Sequence, residues 1–187
     1  MTMKYIYGPL KARRLGVSLG LSLTPYKVCS FDCVYCQSGR TDVFSGEREV
    51  FVSTKDLIHE LRSLPDVPID YITFAGHGEP TLAKNLGEMI RAVKMVRNEK
   101  IAVITNASLI DRKDVVEDLL LADLVEAKLD ASTAVFFNAI NRPMAEIRWE
   151  DVVEGLKAFR KVYNRRLTLQ MMFVASNKTC AAALAKI

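Results

Sequence analysis

The sequence predicts an α/β protein built on a parallel sheet. Three observations carry that reading. Short, β-branched apolar runs alternate with amphipathic stretches along the chain. The unit repeats at about 30 residues, the length a right-handed crossover between parallel strands requires. The runs are largely apolar, as strands covered by helices on both sides are. A doubly wound sheet and a (βα) barrel both satisfy this pattern, and periodicity does not choose between them.

The elements follow in order. "VSLGLSLT" at 17–24 alternates and reads as a strand, and a cysteine-rich loop and the polar stretch "GRTDVFSGEREV" come next. Ser53 or Thr54 caps a helix over "KDLIHELRSL", where Leu57, Ile58, Leu61 and Leu64 recur at helical spacing until Pro65 and Pro68 end it. "DYITFAG" at 70–76 is a buried strand stopping at glycine. A helix then runs over about Leu82–Val96, a strand over 101–106, a helix over 111–121 and a strand over 124–130. Val152, Val153, Leu156, Phe159 and Val162 mark a helix over 150–163, "LTLQMMFV" at 167–174 is the fifth strand, and the tail from Ala175 reads as the start of one more helix.

A chain of 187 residues is expected to form one domain with a sizeable core and no need of disulfides. No apolar run reaches membrane-spanning length, and the N-terminus is too polar for a signal peptide, so a cytoplasmic, non-membrane protein is expected. Net charge is +4, from 26 basic and 22 acidic residues. The basic runs at 11–14 and 164–166 suit a solvated face or phosphate contact, and neither is long enough for a nucleic-acid tail.

In either fold, ligands meet the carboxyl ends of the parallel strands. Four polar clusters fall there: the cysteine loop, "GHGEPT", "TNAS" and "LDAS", with Gln170 in the fifth strand. In a reducing compartment, clustered cysteines bind metal or do chemistry. "CSFDCVYC" places Cys29, Cys33 and Cys36 within eight residues. Thiolates suit zinc or iron–sulfur clusters. A structural zinc site wants four ligands, and His59 or His77 is a candidate fourth. A cubane cluster on three cysteines leaves one iron open for a substrate or cofactor, whereas electron-transfer clusters use four, and Cys180 is a candidate for that role. Cysteines without metal are the remaining reading.

The cysteine spacing, with an aromatic before the third cysteine and "GHGEPT" after the next strand, resembles the radical S-adenosylmethionine (radical SAM) signature. "YGPLKARRLGVSLG", "CSFDCVYCQSGRT", "FAGHGEPTL", "ITNAS", "LDAS" and "NRP" extend the resemblance over nearly the whole chain. They are similar to a prokaryotic group of Fe–S oxidoreductases related to the tRNA 4-demethylwyosine synthases. The resemblance selects the barrel: a partial (βα)6 TIM-like barrel of the radical SAM type, here with about five βα units and no sixth strand. It implies a [4Fe–4S] cluster on Cys29, Cys33 and Cys36, whose open iron chelates S-adenosylmethionine. It also implies an electron donor such as flavodoxin or ferredoxin.

Further roles follow from the resemblance by position. Tyr35 would lie beside cluster and adenine. Gly76, His77, Gly78, Glu79 and Pro80 match the region that contacts the methionine amino group, or form a structural turn. Asn106, after Thr105, would touch the cofactor or cap a turn. Lys128 would pair with the methionine carboxylate, and Asp130 or Ser132 would meet the ribose, unless they form a salt bridge and a turn cap. Gln170 reads as a cavity or core residue, and Arg13, Arg14 and Arg142 as loop-packing or phosphate contacts. The wyosine-forming relatives carry a second cluster on upstream cysteines, and none precedes Cys29, so that chemistry is not expected. The missing sixth strand leaves the fifth exposed at an edge, to be covered by further chain or by a homodimer partner. The competing functions are a cluster- or zinc-containing module that binds tRNA or another nucleic acid, and a degenerate, non-catalytic cluster protein.

Overall fold

The computed structural model describes residues 3–177. Its strands are β1 Ile6–Ala12, β2 Gly16–Ser22, β3 Val28–Cys29, β4 Val43–Phe44, β5 Tyr71–Ala75, β6 Lys100–Thr105, β7 Leu124–Lys128 and β8 Arg166–Gln170. The helices are α1 Thr54–Arg62, α2 Leu86–Val96, α3 Lys113–Leu119, α4 Ala134–Ile140 and α5 Trp149–Val162. The main sheet has the order β1-β2-β5-β6-β7-β8, and every pair but the first is parallel. The sheet is not closed: β8 stands at its far edge, with Leu169 half exposed. No helix among the described residues is long and apolar enough to cross a membrane.

The two faces of the sheet differ, and the difference explains the barrel-like form. Side chains alternate across a strand. Leu19 and Leu21, Ile72 and Phe74, Ile101 and Val103, and Val125 and Ala127 form one face, almost wholly buried in a core shared with Leu57, Leu61, Met89, Ile90, Val93, Val115 and Phe159 of the helices. α1 packs on α2 and α2 on α3 over that face. The opposite face carries Ser18, Thr73, Ala75, Ile104, Glu126, Lys128 and Gln170. Near its base Leu15, Ala102 and Leu124 form a small apolar plug. Above it Ser18 and Thr73 share a buried 2.5 Å hydrogen bond, and Arg14 reaches in to pair with buried Glu126 at 3.2 Å. Helices therefore cover one face only, where the apolar strand pattern had suggested both.

Element boundaries differ from expectation in instructive ways. Ser53 is the α1 cap, accepting from the Asp56 N–H at 3.1 Å. The helix expected from Leu82 starts at Leu86, because Pro80–Leu82 forms a separate 3-10 turn capped by Glu79. Strand β1 was not foreseen: "IYGPLKA" interrupts its pattern with Gly8-Pro9, and pairing with β2 shifts register between Tyr7 and Leu10. The β3–β4 pair inside the cysteine segment and the short α4 were also missed. From Ala175 there is a 3-10 turn to Asn177, and the rest of the expected tail helix lies outside the described residues.

The face assignment makes a prediction. Phe74→Ala, which empties a fully buried position, should cost about 3–5 kcal/mol in urea unfolding. Leu169→Ala at the sheet edge should cost under about 1 kcal/mol. Comparable losses for both would contradict the assignment.

Candidate functional site

A cavity of about 420 Å³ opens at the carboxyl ends of the parallel strands. Cys29, Cys33, Tyr35 and Cys36 line it after β2, Ala75, Gly76, Gly78 and Glu79 after β5, and Ile104, Thr105 and Asn106 at β6. Lys128, Asn141, Gln170 and Met172 complete the lining. Parallel strands deliver all these segments to one end of the sheet, which is why residues far apart in sequence meet.

The cysteine loop is held by backbone bonds to the segment after α4. Asp32 N–H donates to Asn141 O at 3.0 Å, Val34 N–H to Ile140 O at 2.9 Å, and Met144 N–H to Ser30 O at 3.0 Å. Phe31 packs edge-on against Phe137 at 5.3 Å. The buried Asp32 carboxylate accepts from Thr41 N–H at 2.8 Å, with Arg40 and Arg142 at 3.5 and 3.8 Å. Arg142 is thus turned to the loop, and Arg13 is exposed.

Each thiol has a side-chain N–H donor within reach, and Cys29 also has the Phe31 backbone. Asn106 Nδ2 lies 3.6 Å from Cys29 Sγ, Asn141 Nδ2 lies 3.4 Å from Cys33 Sγ, and Lys27 Nζ lies 3.3 Å from Cys36 Sγ. Burial pushes the Cys29 thiol up to about 12, and the nearby Glu79 carboxylate adds to the rise. Burial also raises Cys33, against the opposing pull of its hydrogen bond from Asn141. Metal coordination displaces such protons. Among the described residues, no three His, Cys, Asp or Glu side chains converge tightly enough to hold a single ion. The thiols ring a cavity instead of meeting at a point. A soft, three-thiol donor set spread in this way, with a hydrogen-bond donor on every sulfur, fits an iron–sulfur cluster.

Opposite the thiols, glycine permits close approach. Gly76 has φ +135°. A Cβ on Gly78 would lie 2.1 Å from the Val28 carbonyl oxygen, so only glycine lets this turn rest on β3. The adjacent Glu79 N–H donates to the same carbonyl at 3.2 Å. The Glu79 carboxylate is buried. Its Oε1 accepts from Thr81 N–H at 3.0 Å, Thr81 Oγ1 at 2.7 Å and Thr105 Oγ1 at 2.6 Å, and its Oε2 accepts from Asn106 N–H at 2.7 Å. Burial raises its pKa against the pull of those donors. Arg48, almost wholly buried, braces the turn by donating to Thr81 O and Ala83 O, each at 2.9 Å, while pairing with Asp114 and Asp118.

The residues singled out in sequence divide into two groups. Cys29, Cys33, Cys36, Tyr35, Gly76, Gly78, Glu79, Asn106 and Lys128 line the cavity together. Pro80 is buried in the 3-10 turn, and His77 turns to Ser38 Oγ at 3.0 Å and to the Tyr26 ring at 4.9 Å. Ser132 is half-buried beyond β7 and does not line the cavity. Asp130 is buried behind the lining. Its Oδ2 accepts from Tyr35 OH and, at 2.7 Å, from Asn141 Nδ2, and its Oδ1 accepts from Met172 N–H at 2.7 Å. Its oxygens serve protein donors, so a direct ribose contact does not fit this arrangement. Lys128 Nζ lies over the Tyr35 ring at 4.8 Å and donates to Gln170 Oε1 at 3.1 Å. His59 sits in the last turn of α1, off the cavity, and Cys180 lies outside the described residues. Sequence reading missed Lys27 and Asn141. Asn141 stood inside the quoted "NRP", where attention went to the arginine.

An open, mostly parallel sheet with three thiols at the carboxyl ends of its strands defines the chain as an α/β protein of partial-barrel type. The model of the radical SAM superfamily matches residues 23–178, and the chain belongs to that superfamily. It is 40% identical over 172 residues to "UPF0026 protein slr1464" of Synechocystis sp., covering 91% of this chain and 65% of that protein. The chain thus spans about two thirds of that relative's length. Its fold is similar to that of TYW1 solved with a lysine-pyruvate adduct bound, at TM-score 0.69 and 14% identity, covering 91% of this chain and 61% of that one. It is also similar to Streptococcus suis SuiB bound to S-adenosylmethionine, at TM-score 0.65 and 20% identity, covering 89% of this chain and 35% of that one. At these identities the two structures bear on the fold alone.

Two substitutions test the construction. Gly78→Ala forces the turn off β3 and should lower stability by about 1–3 kcal/mol in urea unfolding. Glu79→Gln puts an amide donor where donors already converge, and should cost a similar ~1–3 kcal/mol through one unpaired buried group. Unchanged denaturation midpoints would refute the contacts.

Proposed function

We propose that this chain forms a radical SAM enzyme site in which Cys29, Cys33 and Cys36 hold a [4Fe–4S] cluster and the facing wall binds S-adenosylmethionine. When bound, the cluster would supply one electron for reductive cleavage of the sulfonium, yielding a 5′-deoxyadenosyl radical. The observation that carries the reading is the set of three thiols, each with its own N–H donor, around one cavity at the strand carboxyl ends. Superfamily membership of most of the chain supports it.

The protein's part is to bind, aim and shield. Gly76 and Gly78 bring backbone to the cavity wall without side chains in the way, so that its carbonyls can face an ammonium, and the buried Glu79 fixes that wall through Thr81, Thr105 and Asn106. Asn106 spans thiol and turn: its side chain meets Cys29, while its N–H holds Glu79. Lys128 offers a cation at the cavity for a carboxylate, oriented by Gln170 and the Tyr35 ring. Tyr35 is oriented in turn by Asp130, which acts through it and Asn141. In this assignment His77 and Pro80 shape the turn and touch no ligand. Ser132 has no part.

Anaerobic reconstitution should give a brown protein absorbing near 400 nm, and reduction with S-adenosylmethionine present should yield 5′-deoxyadenosine. Cys33→Ala should lose both. A colourless protein that binds zinc stoichiometrically, or a reduced cluster that leaves S-adenosylmethionine intact, would refute the proposal.

A further inference from the structure

Lys27 is 2% exposed, so its ammonium lies away from bulk water. A buried charge needs a partner of opposite sign. Among the described residues Nζ forms no ion pair with a carboxylate, and its hydrogen bond runs to Cys36 Sγ at 3.3 Å. Its charge also reaches Cys29, whose thiol it draws down against the larger effect of burial. One cation therefore serves two of the three thiols.

The backbone fixes this placement. Lys27 has φ +60°, a left-handed conformation that is unfavourable for a residue with a β-carbon. Its N–H donates to His77 O at 3.3 Å, and its carbonyl accepts from Asp42 and Val43 N–H, each at 3.2 Å. Those bonds tie the residue at once to the glycine turn and to the far end of the cysteine loop. Glycine would meet the backbone requirement at lower cost. The side chain, not the conformation, explains a lysine here.

We propose that Lys27 is a redox-positioning residue, a fixed buried cation that raises the reduction potential of a cluster held by Cys29, Cys33 and Cys36. This rests on the cluster reading above. One-electron reduction adds a negative charge, and a cation at hydrogen-bond distance from a ligating sulfur stabilises the reduced form more than the oxidised one. Asn106 and Asn141 supply neutral N–H donors to the other two sulfurs, so among the described residues Lys27 is the cation hydrogen-bonded to a thiol, while Lys128 acts on Cys33 without such a bond.

The test compares the reconstituted full chain with Lys27→Met and Lys27→Arg, by iron and sulfide content and by potentiometric titration followed by electron paramagnetic resonance. At the wild-type midpoint, Lys27→Met should hold a normal iron content with the reduced-to-oxidised ratio lowered about tenfold or more, or ~59 mV for a one-electron couple. Lys27→Arg should stay within about threefold of wild type. An unmoved potential in Lys27→Met, or equal shifts in both variants, overturns the proposal. If Lys27→Met takes up no iron, Lys27→Arg decides: uptake with a near wild-type ratio supports the role of charge, and failure in both overturns it. Iron-free wild type overturns the cluster reading and this proposal together, whereas a loaded cluster with an unmoved potential overturns this proposal alone.

Discussion

The carboxylate of Asp130 is the junction on which the site depends. It stands just beyond β7, buried, and accepts from three segments at once: Tyr35 of the cysteine loop, Asn141 after α4 and the Met172 N–H after β8. Its own carbonyl accepts from Asn177 Nδ2 at 2.9 Å. Hydrogen bonds to a charged acceptor contribute roughly 1.5–3 kcal/mol each, and a buried carboxylate deprived of them is costly. The loop that carries the thiols cannot shift without breaking some of these bonds. Asn141 then passes the constraint on, because the amide that binds Asp130 also meets Cys33 Sγ.

This junction works because of how the sheet is used. Parallel strands bring β5, β6, β7 and β8 to the same end, and helices cover only the outer face. The inner face is left free for polar groups in graded depth. An apolar plug lies at the base, then Glu126 with Arg14 and Ser18 with Thr73, then the cavity at the top. Polar groups can face inward because each finds a partner there. A sheet with helices on both faces would have no such polar interior and would hold a ligand only in a crevice outside the strand ends.

What the sequence disclosed, and what it concealed, follows from the range of the interactions. Apolar runs and helical periodicity are local, and they located β2, β5, β6, β7, β8 and four of the helices to within a few residues. Cysteine spacing and "GHGEPT" are local too, and their resemblance to radical SAM motifs placed nine of thirteen candidate residues on one cavity. Strand β1 escaped because Gly8-Pro9 breaks its pattern, and α4 because seven residues hold too few turns to show a period. Asp130 was read as a ribose contact or as half of a salt bridge, and the Lys128 ion pair at 3.9 Å is there, but the partners that engage its carboxylate lie 95, 11 and 42 residues away. No local pattern announces that both its oxygens are already engaged. His77 was grouped with its glycine neighbours, yet its ring packs on Tyr26 and bonds to Ser38.

The electrostatics of the thiols tie these levels together. Burial raises the pKa of both Cys29 and Cys33, and the Glu79 carboxylate adds to the rise at Cys29. The buried Lys27 ammonium has no carboxylate partner among the described residues and hydrogen-bonds to Cys36 Sγ. In the proposed cluster site, Cys29, Cys33 and Cys36 would bind as thiolates and would give that ammonium an anionic neighbour. The same substitution of charge for proton would strengthen the amide bonds from Asn106 and Asn141, because an ionised acceptor binds a donor about twice as strongly as a neutral one. Under the proposed function the surroundings of "CSFDCVYC" would suit anionic sulfur, with Lys27 placed by its backbone bonds, Asn141 by Asp130, and Asn106 by Ser30 and Glu79.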